Sequence, residues 1–140
     1  MPETIFSQMI AGHIPCHKVY EDDQVFAFLD ANPISKGHTV LIPKKAVATM
    51  MELSDASAAA LGRVLPRLSR ALLQVTGASA LHILQNNGAE AHQAIEHVHF
   101  HLIPKYADGA GLVIPWQTLA LNDETAAELS AALRIQLTGG

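Results

Sequence analysis

The stretch His97-Val98-His99-Phe100-His101-Leu102-Ile103 places three histidines at every second position of an otherwise apolar run. Successive side chains of a β-strand point to opposite faces, so this spacing predicts a strand with three imidazoles in a row on one face. Neighbouring imidazoles in such a row would lie roughly 6.5 to 7 Å apart. A row of these dimensions is suited to flank one phosphate-sized group.

Three interpretations fit a row of imidazoles. An unperturbed imidazole has a pKa of about 6.5, and both burial and a neighbouring imidazolium favour the neutral ring. A neutral ring acts as a nucleophile, a proton carrier or a metal ligand. Two histidines on a strand can also bind zinc with a third ligand from elsewhere, and histidines serve as ordinary polar residues on a solvated face. The row alone leaves these interpretations open.

Composition sets the frame around this motif. A chain of 140 residues, 49% of them hydrophobic, is long enough for one domain with a substantial core. The formal charge of -4 and the absence of a block of lysines and arginines argue against extended nucleic acid as a partner. No segment approaches the roughly 20 apolar residues of a membrane span, and no export signal is recognisable. We therefore expect a cytoplasmic protein that does not enter a membrane.

Hydrophobic periodicity and turn residues predict an α+β fold with five strands, a long helix and shorter helices near both ends. The predicted helices cover residues 4–11, 54–77 and 123–137, and the predicted strands cover 18–20, 25–29, 38–43, 81–85 and 97–104. Pro66 removes a backbone hydrogen bond inside the long helix, which we nevertheless predict as one element. We predict a single domain over residues 1–140, with residues 107–140 as a C-terminal extension of loop plus helix.

The three alternating histidines resemble the signature of the histidine triad (HIT) superfamily. Upstream, the segments 30–33 and 37–44 are similar to that family's ribose-binding strand end and to its fourth active-site histidine. Asn86-Asn87-Gly88 with Gln93 is similar to the loop before the triad, and residues 5–15 are similar as well. The resemblance covers residues 4–106 and is greatest to the histidine triad nucleotide-binding proteins and their small bacterial relatives. It implies a five-stranded, mainly antiparallel sheet and a homodimer.

The resemblance also implies a function, which is hydrolysis at the α-phosphate of a purine nucleotide conjugate that carries an AMP or GMP moiety. A conjugate of the phosphoramidate type would react through a covalent nucleotidyl-histidine intermediate, with His99 as the nucleophile. His101 would bind the non-bridging phosphate oxygens, and His97 and His38 would complete the polar cluster. Hydrolysis of dinucleoside polyphosphates, or nucleotide binding with little turnover, are the alternatives.

The substrate-binding residues implied by the resemblance come from three segments. Asp30 matches the acid that accepts hydrogen bonds from ribose hydroxyls. Asn86 and Gln93 match loop positions that contact the phosphate or the leaving group. The side chains that would wall the base are apolar, namely Ile5, Phe6, Met9 and Phe28.

Several positions depart from the family pattern. Some relatives have a Cys-X-X-Cys pair that helps bind structural zinc where this chain has Thr4 and Ser7, and Ala46 replaces a histidine that is often found after the Pro-Lys. We therefore expect neither a metal nor another cofactor. His92 stands where the family usually has a glycine before Gln93, so the shape and phosphate contacts of this loop are expected to differ.

Overall fold

The fold is an α+β arrangement, seen in a computed structural model that describes residues 3–139. The strands are β1 (Lys18–Glu21), β2 (Val25–Leu29), β3 (Thr39–Pro43), β4 (Ala80–Gln85) and β5 (Phe100–Lys105). The α-helices are α1 (Ile5–Ile10), α2 (Asp55–Thr76) and α3 (Asp123–Thr138). The strands form one sheet in the order β1-β2-β3-β5-β4, and every neighbouring pair is antiparallel. The predicted five-stranded α+β fold is therefore confirmed.

The central strands are covered on both faces, which explains why their sequences are apolar without alternation. One face carries Val25, Ala27, Leu41 and Leu102, which pack against the buried side of α2. The other face carries apolar residues that pack with Phe6 of α1, namely Phe26, Phe28, Val40 and Ile42. His101 pairs with Val40 across the β3–β5 ladder and therefore lies on the α1 face. The functional side chains accordingly belong to the face that α1 covers.

Helix α2 is a single element, as predicted. The Ser54 hydroxyl accepts a hydrogen bond from the Ser57 backbone N–H and caps its first turn. Gly77 adopts a left-handed conformation and ends it. Pro66 lies inside the helix without ending it. The buried side of α2 is built from residues three or four apart, including Leu61, Val64, Leu68 and Leu72.

Beyond β5 the chain forms a loop and then α3. The predicted apolar stripe of this helix is present, but it does not pack on the rest of the chain. Leu129, Leu133 and Leu137 are 55%, 60% and 80% exposed. Within residues 3–139, no helix combines the length and apolar character that crossing a bilayer requires.

The strand that carries the triad begins later than predicted. β5 starts at Phe100, so only His101 of the three histidines lies in a strand. The backbone before it bonds elsewhere, because the Val98 N–H donates to the Val47 carbonyl and the His97 carbonyl accepts from the His99 ring. The predicted start of the strand at His97 is therefore wrong, although all three imidazoles lie on the side of the sheet that α1 covers, where Phe6 contacts His97 and His99. The ring centres of His99 and His101 are 4.9 Å apart, closer than neighbours on a regular strand.

Gly37, which precedes His38, provides a test of the packing beneath the site. Gly37 and Gly12 both have positive φ angles, but a Cβ at Gly37 would lie 2.8 Å from the Thr76 methyl carbon, whereas a Cβ at Gly12 would meet nothing within 4 Å. We expect Gly37→Ala to lower the free energy of unfolding by about 2 to 4 kcal/mol, and Gly12→Ala by about 1 kcal/mol. Urea unfolding of both variants measures the difference, and equal losses would contradict the steric argument.

Candidate active site

The ring of His99 is oriented by its own backbone. Its Nδ1 lies 2.7 Å from the His97 carbonyl oxygen. A carbonyl oxygen only accepts hydrogen bonds, so Nδ1 carries a proton, and in the neutral ring the lone pair is on Nε2. The Phe6 ring stands edge-on to the imidazole, with ring centres 5.1 Å apart. His99 is buried but lines a cavity, so its unprotonated nitrogen is available to a ligand in that cavity.

A chain of hydrogen bonds places the proton of His101 on Nε2, whereas the proton of the His99 ring is on Nδ1. The Ile34 backbone N–H donates to Nδ1 of His38 over 3.0 Å, which leaves the proton of His38 on Nε2. That nitrogen donates to Nδ1 of His101 over 2.9 Å. His101 therefore carries its own proton on Nε2. The site pairs a nitrogen lone pair on His99 with an N–H donor on His101.

His97 is held on both sides and does not line the cavity. Its Nε2 donates to the Pro43 carbonyl over 2.8 Å, and its Nδ1 accepts from the Thr4 hydroxyl over 3.0 Å. The Thr4 hydroxyl also caps α1 by accepting from the Ser7 backbone N–H. His97 is fully buried, and both its ring nitrogens are used within the chain. Its side chain therefore positions the carbonyl that orients His99.

Burial keeps three of these imidazoles neutral near pH 7. Burial, reinforced by the neighbouring His99, lowers the pKa of His101 to about 4. Burial also lowers the pKa of His97. It lowers the pKa of His38 as well, although the Asp30 carboxylate opposes this shift. Neutral rings are what the hydrogen-bond chains described above require.

The cavity beside His99 has a volume of about 380 Å³. Seven of the predicted site residues line it: Ile5, Phe6, Met9, Phe28, Asp30, His99 and His101. An adjoining cavity of about 610 Å³ shares Met9, Phe28 and Asp30 with it. Clefts that bind small molecules have volumes of about 300 to 1,000 Å³. The site therefore combines an apolar slot, a carboxylate and two oriented imidazoles at the scale of a nucleotide.

Four predicted residues are not among those that line the cavity, namely His38, His97, Asn86 and Gln93. The Gln93 side chain accepts from the Gly88 backbone N–H over 2.7 Å and donates to the carbonyls of Ala48 and Ile95 over 2.6 and 2.9 Å. Its amide is thus used to hold the loop before β5 in shape. The contact of Gln93 with the phosphate or leaving group stays a prediction.

Sequence reasoning missed the part played by Thr4, which it treated only as the absence of a zinc ligand. The available signal was a hydroxyl residue three positions before Ser7 at the start of an apolar helix, the arrangement of a capping box. The contact with His97 spans 93 positions of sequence, so local pattern could not reveal it.

Asp30, His38 and His101 form a cluster in which one ligand atom of each lies within 4.8 Å of the others. The donor set is arranged for proton sharing instead of metal binding. Nε2 of His38 carries the proton that Nδ1 of His101 accepts, and Nδ1 of His38 is already occupied by the Ile34 N–H. A cation bound to these nitrogens would have to displace that proton.

Comparison with known proteins finds a family and several relatives that this chain resembles. The HIT domain family model matches residues 11–108. The adenosine 5'-monophosphoramidase hnt1 of Schizosaccharomyces pombe is 42% identical over 120 residues, which cover 86% of this chain and 87% of that protein. Adenylylsulfatase HINT3 of Arabidopsis thaliana is 41% identical over 103 residues, which cover 74% of this chain and 52% of that protein.

The fold of this chain is also similar to solved structures. The crystal structure of a HIT family member from Bacillus subtilis has a TM-score of 0.90 and 37% identity, and the match covers 95% of this chain and 96% of that chain. The chain belongs to the HIT domain family, as the alternating histidines indicated.

The lowered pKa of His101 has a consequence for stability. The ring binds its proton near pH 4 in the folded chain and near pH 6.5 when unfolded, so the unfolded chain binds more protons between these values. We expect the free energy of unfolding to fall as the pH falls from about 6.5 to about 4. Urea unfolding across this range should show a shallower pH dependence for His101→Gln than for the native chain. The same pH dependence in both chains would contradict the lowered pKa of His101.

Proposed function

We propose that the protein hydrolyses purine nucleotide conjugates at the α-phosphorus, through a nucleotidyl intermediate on Nε2 of His99. The observation that carries this proposal is that the neighbouring rings of His99 and His101 carry their protons on different ring nitrogens, Nδ1 in His99 and Nε2 in His101. The carbonyl of His97 leaves His99 with a lone pair, and the chain from Ile34 through His38 leaves His101 with an N–H beside it. One ring is thus prepared to attack phosphorus and the other to bind its oxygens.

In the first step, Nε2 of His99 forms a bond to phosphorus while the bond to the leaving group breaks. The electron pair of that bond stays on the leaving atom, and a leaving nitrogen takes up a proton from solvent and departs as a neutral amine. The attacking ring becomes positively charged, so its Nδ1–H bond to the His97 carbonyl becomes charge-assisted and stronger. His101 donates to a non-bridging oxygen, where charge is spread in the transition state. In the second step, water attacks phosphorus and gives up a proton to solvent. The N–P bond breaks with its electron pair returning to Nε2, which releases the nucleotide and restores neutral His99.

The remaining lining residues bind the nucleoside in this proposal. Asp30 accepts from ribose hydroxyls, and its carboxylate is held by the Asn32 backbone N–H over 2.8 Å. The base lies between the apolar side chains of α1 and Phe28. The relative from Schizosaccharomyces pombe, named for adenosine 5'-monophosphoramidase activity, supports AMP as the nucleotide moiety and an amine as the leaving group.

Cleavage of a P–O bond is the second candidate. The relative from Arabidopsis thaliana is named adenylylsulfatase, and the same attack on phosphorus would release sulfate. The nucleophile, the phosphate donor and the nucleoside pocket are shared by both reactions. The two candidates therefore differ only in the leaving group.

The first experiment concerns the nucleophile. We expect His99→Ala to lower the rate of adenosine 5'-phosphoramidate hydrolysis by about 1,000-fold or more, because no other group replaces the attacking nitrogen. Mass spectrometry of the intact native chain, quenched in alkali during turnover, should show a nucleotidyl adduct that His99→Ala lacks. His13→Ala, a change at an exposed histidine, is the matched control and should keep the native rate.

A His99→Ala variant that hydrolyses the substrate at the native rate would contradict the covalent mechanism. Native protein that binds AMP but hydrolyses no conjugate would instead favour a nucleotide-binding module.

We also propose that the chain forms a homodimer. Support comes from its apolar surface: β4 is an edge strand with Ile83 48% exposed, and the leucines of α3 are largely exposed among the described residues. Light scattering of the purified protein should give a mass twice the 15.0 kDa of one chain. The mass of a single chain at micromolar concentration would contradict this proposal.

A further inference from the structure

His92 has a backbone conformation that is unusual for a histidine. Its φ of 67° and ψ of 27° are left-handed, and within residues 3–139 no other residue except glycine has a positive φ. Glycine adopts this conformation without the steric cost that a Cβ imposes. The conformation is held by a hydrogen bond from the His92 N–H to the Ala89 carbonyl and by the Gln93 clamp on the next residue. The fold therefore does not need an imidazole at this position.

The position of His92 gives its ring access to the reaction site. His92 lines the same cavity as His99 and His101. His99 is buried, whereas His92 is exposed to solvent. A cavity that contacts both residues has His99 on its inner wall and His92 at its mouth.

The direction of the reaction relates this mouth to the leaving group. The attacking and leaving atoms lie roughly in line on opposite sides of phosphorus in a phosphoryl transfer. Attack from the inner wall by His99 thus directs the leaving group towards the mouth, where His92 lies. This step rests on the proposed function.

We propose that His92 contacts the leaving group and favours leaving groups with anionic oxygens, such as sulfate or phosphate. As the P–O bond breaks, its electron pair stays on the leaving oxygen, and an imidazole N–H can donate a hydrogen bond to the charge that develops there. Hydrogen bonds to charged groups are stronger than those between neutral groups. The ammonia released from a simple phosphoramidate has no anionic oxygen to accept such a bond, so His92 does not assist its departure.

The experiment compares native protein with His92→Gly and His92→Asn on three adenosine conjugates. The conjugates are adenosine 5'-phosphoramidate, adenosine 5'-phosphosulfate and a diadenosine polyphosphate. Glycine suits the left-handed backbone, so His92→Gly should fold at least as stably as the native chain. Asparagine tolerates the same backbone and retains an N–H donor.

We expect His92→Gly to lower kcat/KM for the phosphosulfate, the polyphosphate or both by about 10-fold, and to leave the phosphoramidate within about 2-fold of native. His92→Asn should recover part of the loss. Whether sulfate, phosphate or both are affected identifies the anionic group that His92 contacts.

Two outcomes would overturn the inference while hydrolysis itself remains. One is unchanged kcat/KM on all three conjugates in His92→Gly, and the other is an equal loss on all three, which would mean that His92 supports the loop or the nucleoside. Failure of native protein to hydrolyse any conjugate would overturn the proposed function, and this inference with it.

Discussion

The backbone carbonyl of His97 accepts a 2.7 Å hydrogen bond from the ring of His99, and the organisation of the site depends on this contact. A carbonyl within a regular strand would be used by the neighbouring ladder. The chain avoids this competition because β5 begins only at Phe100, so the carbonyl of His97 is free to face a side chain. The irregular backbone before the strand therefore allows the His97 carbonyl to orient the ring of His99, which the proposed mechanism requires.

Each proton in the site is fixed by a backbone group at one end of a hydrogen-bond chain. The Ile34 N–H sets the state of His38, which sets that of His101. The Pro43 carbonyl sets the state of His97, which leaves Nδ1 to accept from Thr4. Backbone groups do not titrate near neutral pH, so they hold these tautomers without adding a charge to the buried site. Burial then keeps the rings neutral.

Sequence could predict much of this protein, and the limits have physical causes. Alternating residues identified His99 and His101, and the apolar run of residues 25–29 predicted a strand with the bounds that β2 has. The start of β5 could not be predicted, because it depends on a ring bonding to a carbonyl outside the ladder. The role of His97 depends on Pro43, 54 positions away, and the position of Gln93 depends on Ala48, 45 positions away. Contacts at such separations are determined by the folded chain and leave no local pattern.

The hydrogen bonds of Gln93 hold the shape of its loop without help from the side chain of the preceding residue, His92. The side-chain amide of Gln93 accepts one hydrogen bond and donates two, and all three join backbone groups to the loop. None of them involves the side chain at position 92. Glycine or asparagine, which tolerate the left-handed backbone of this residue, could therefore replace His92 without rebuilding the loop. On our proposal for His92, such an exchange would change which leaving group is preferred while the other site residues stay the same.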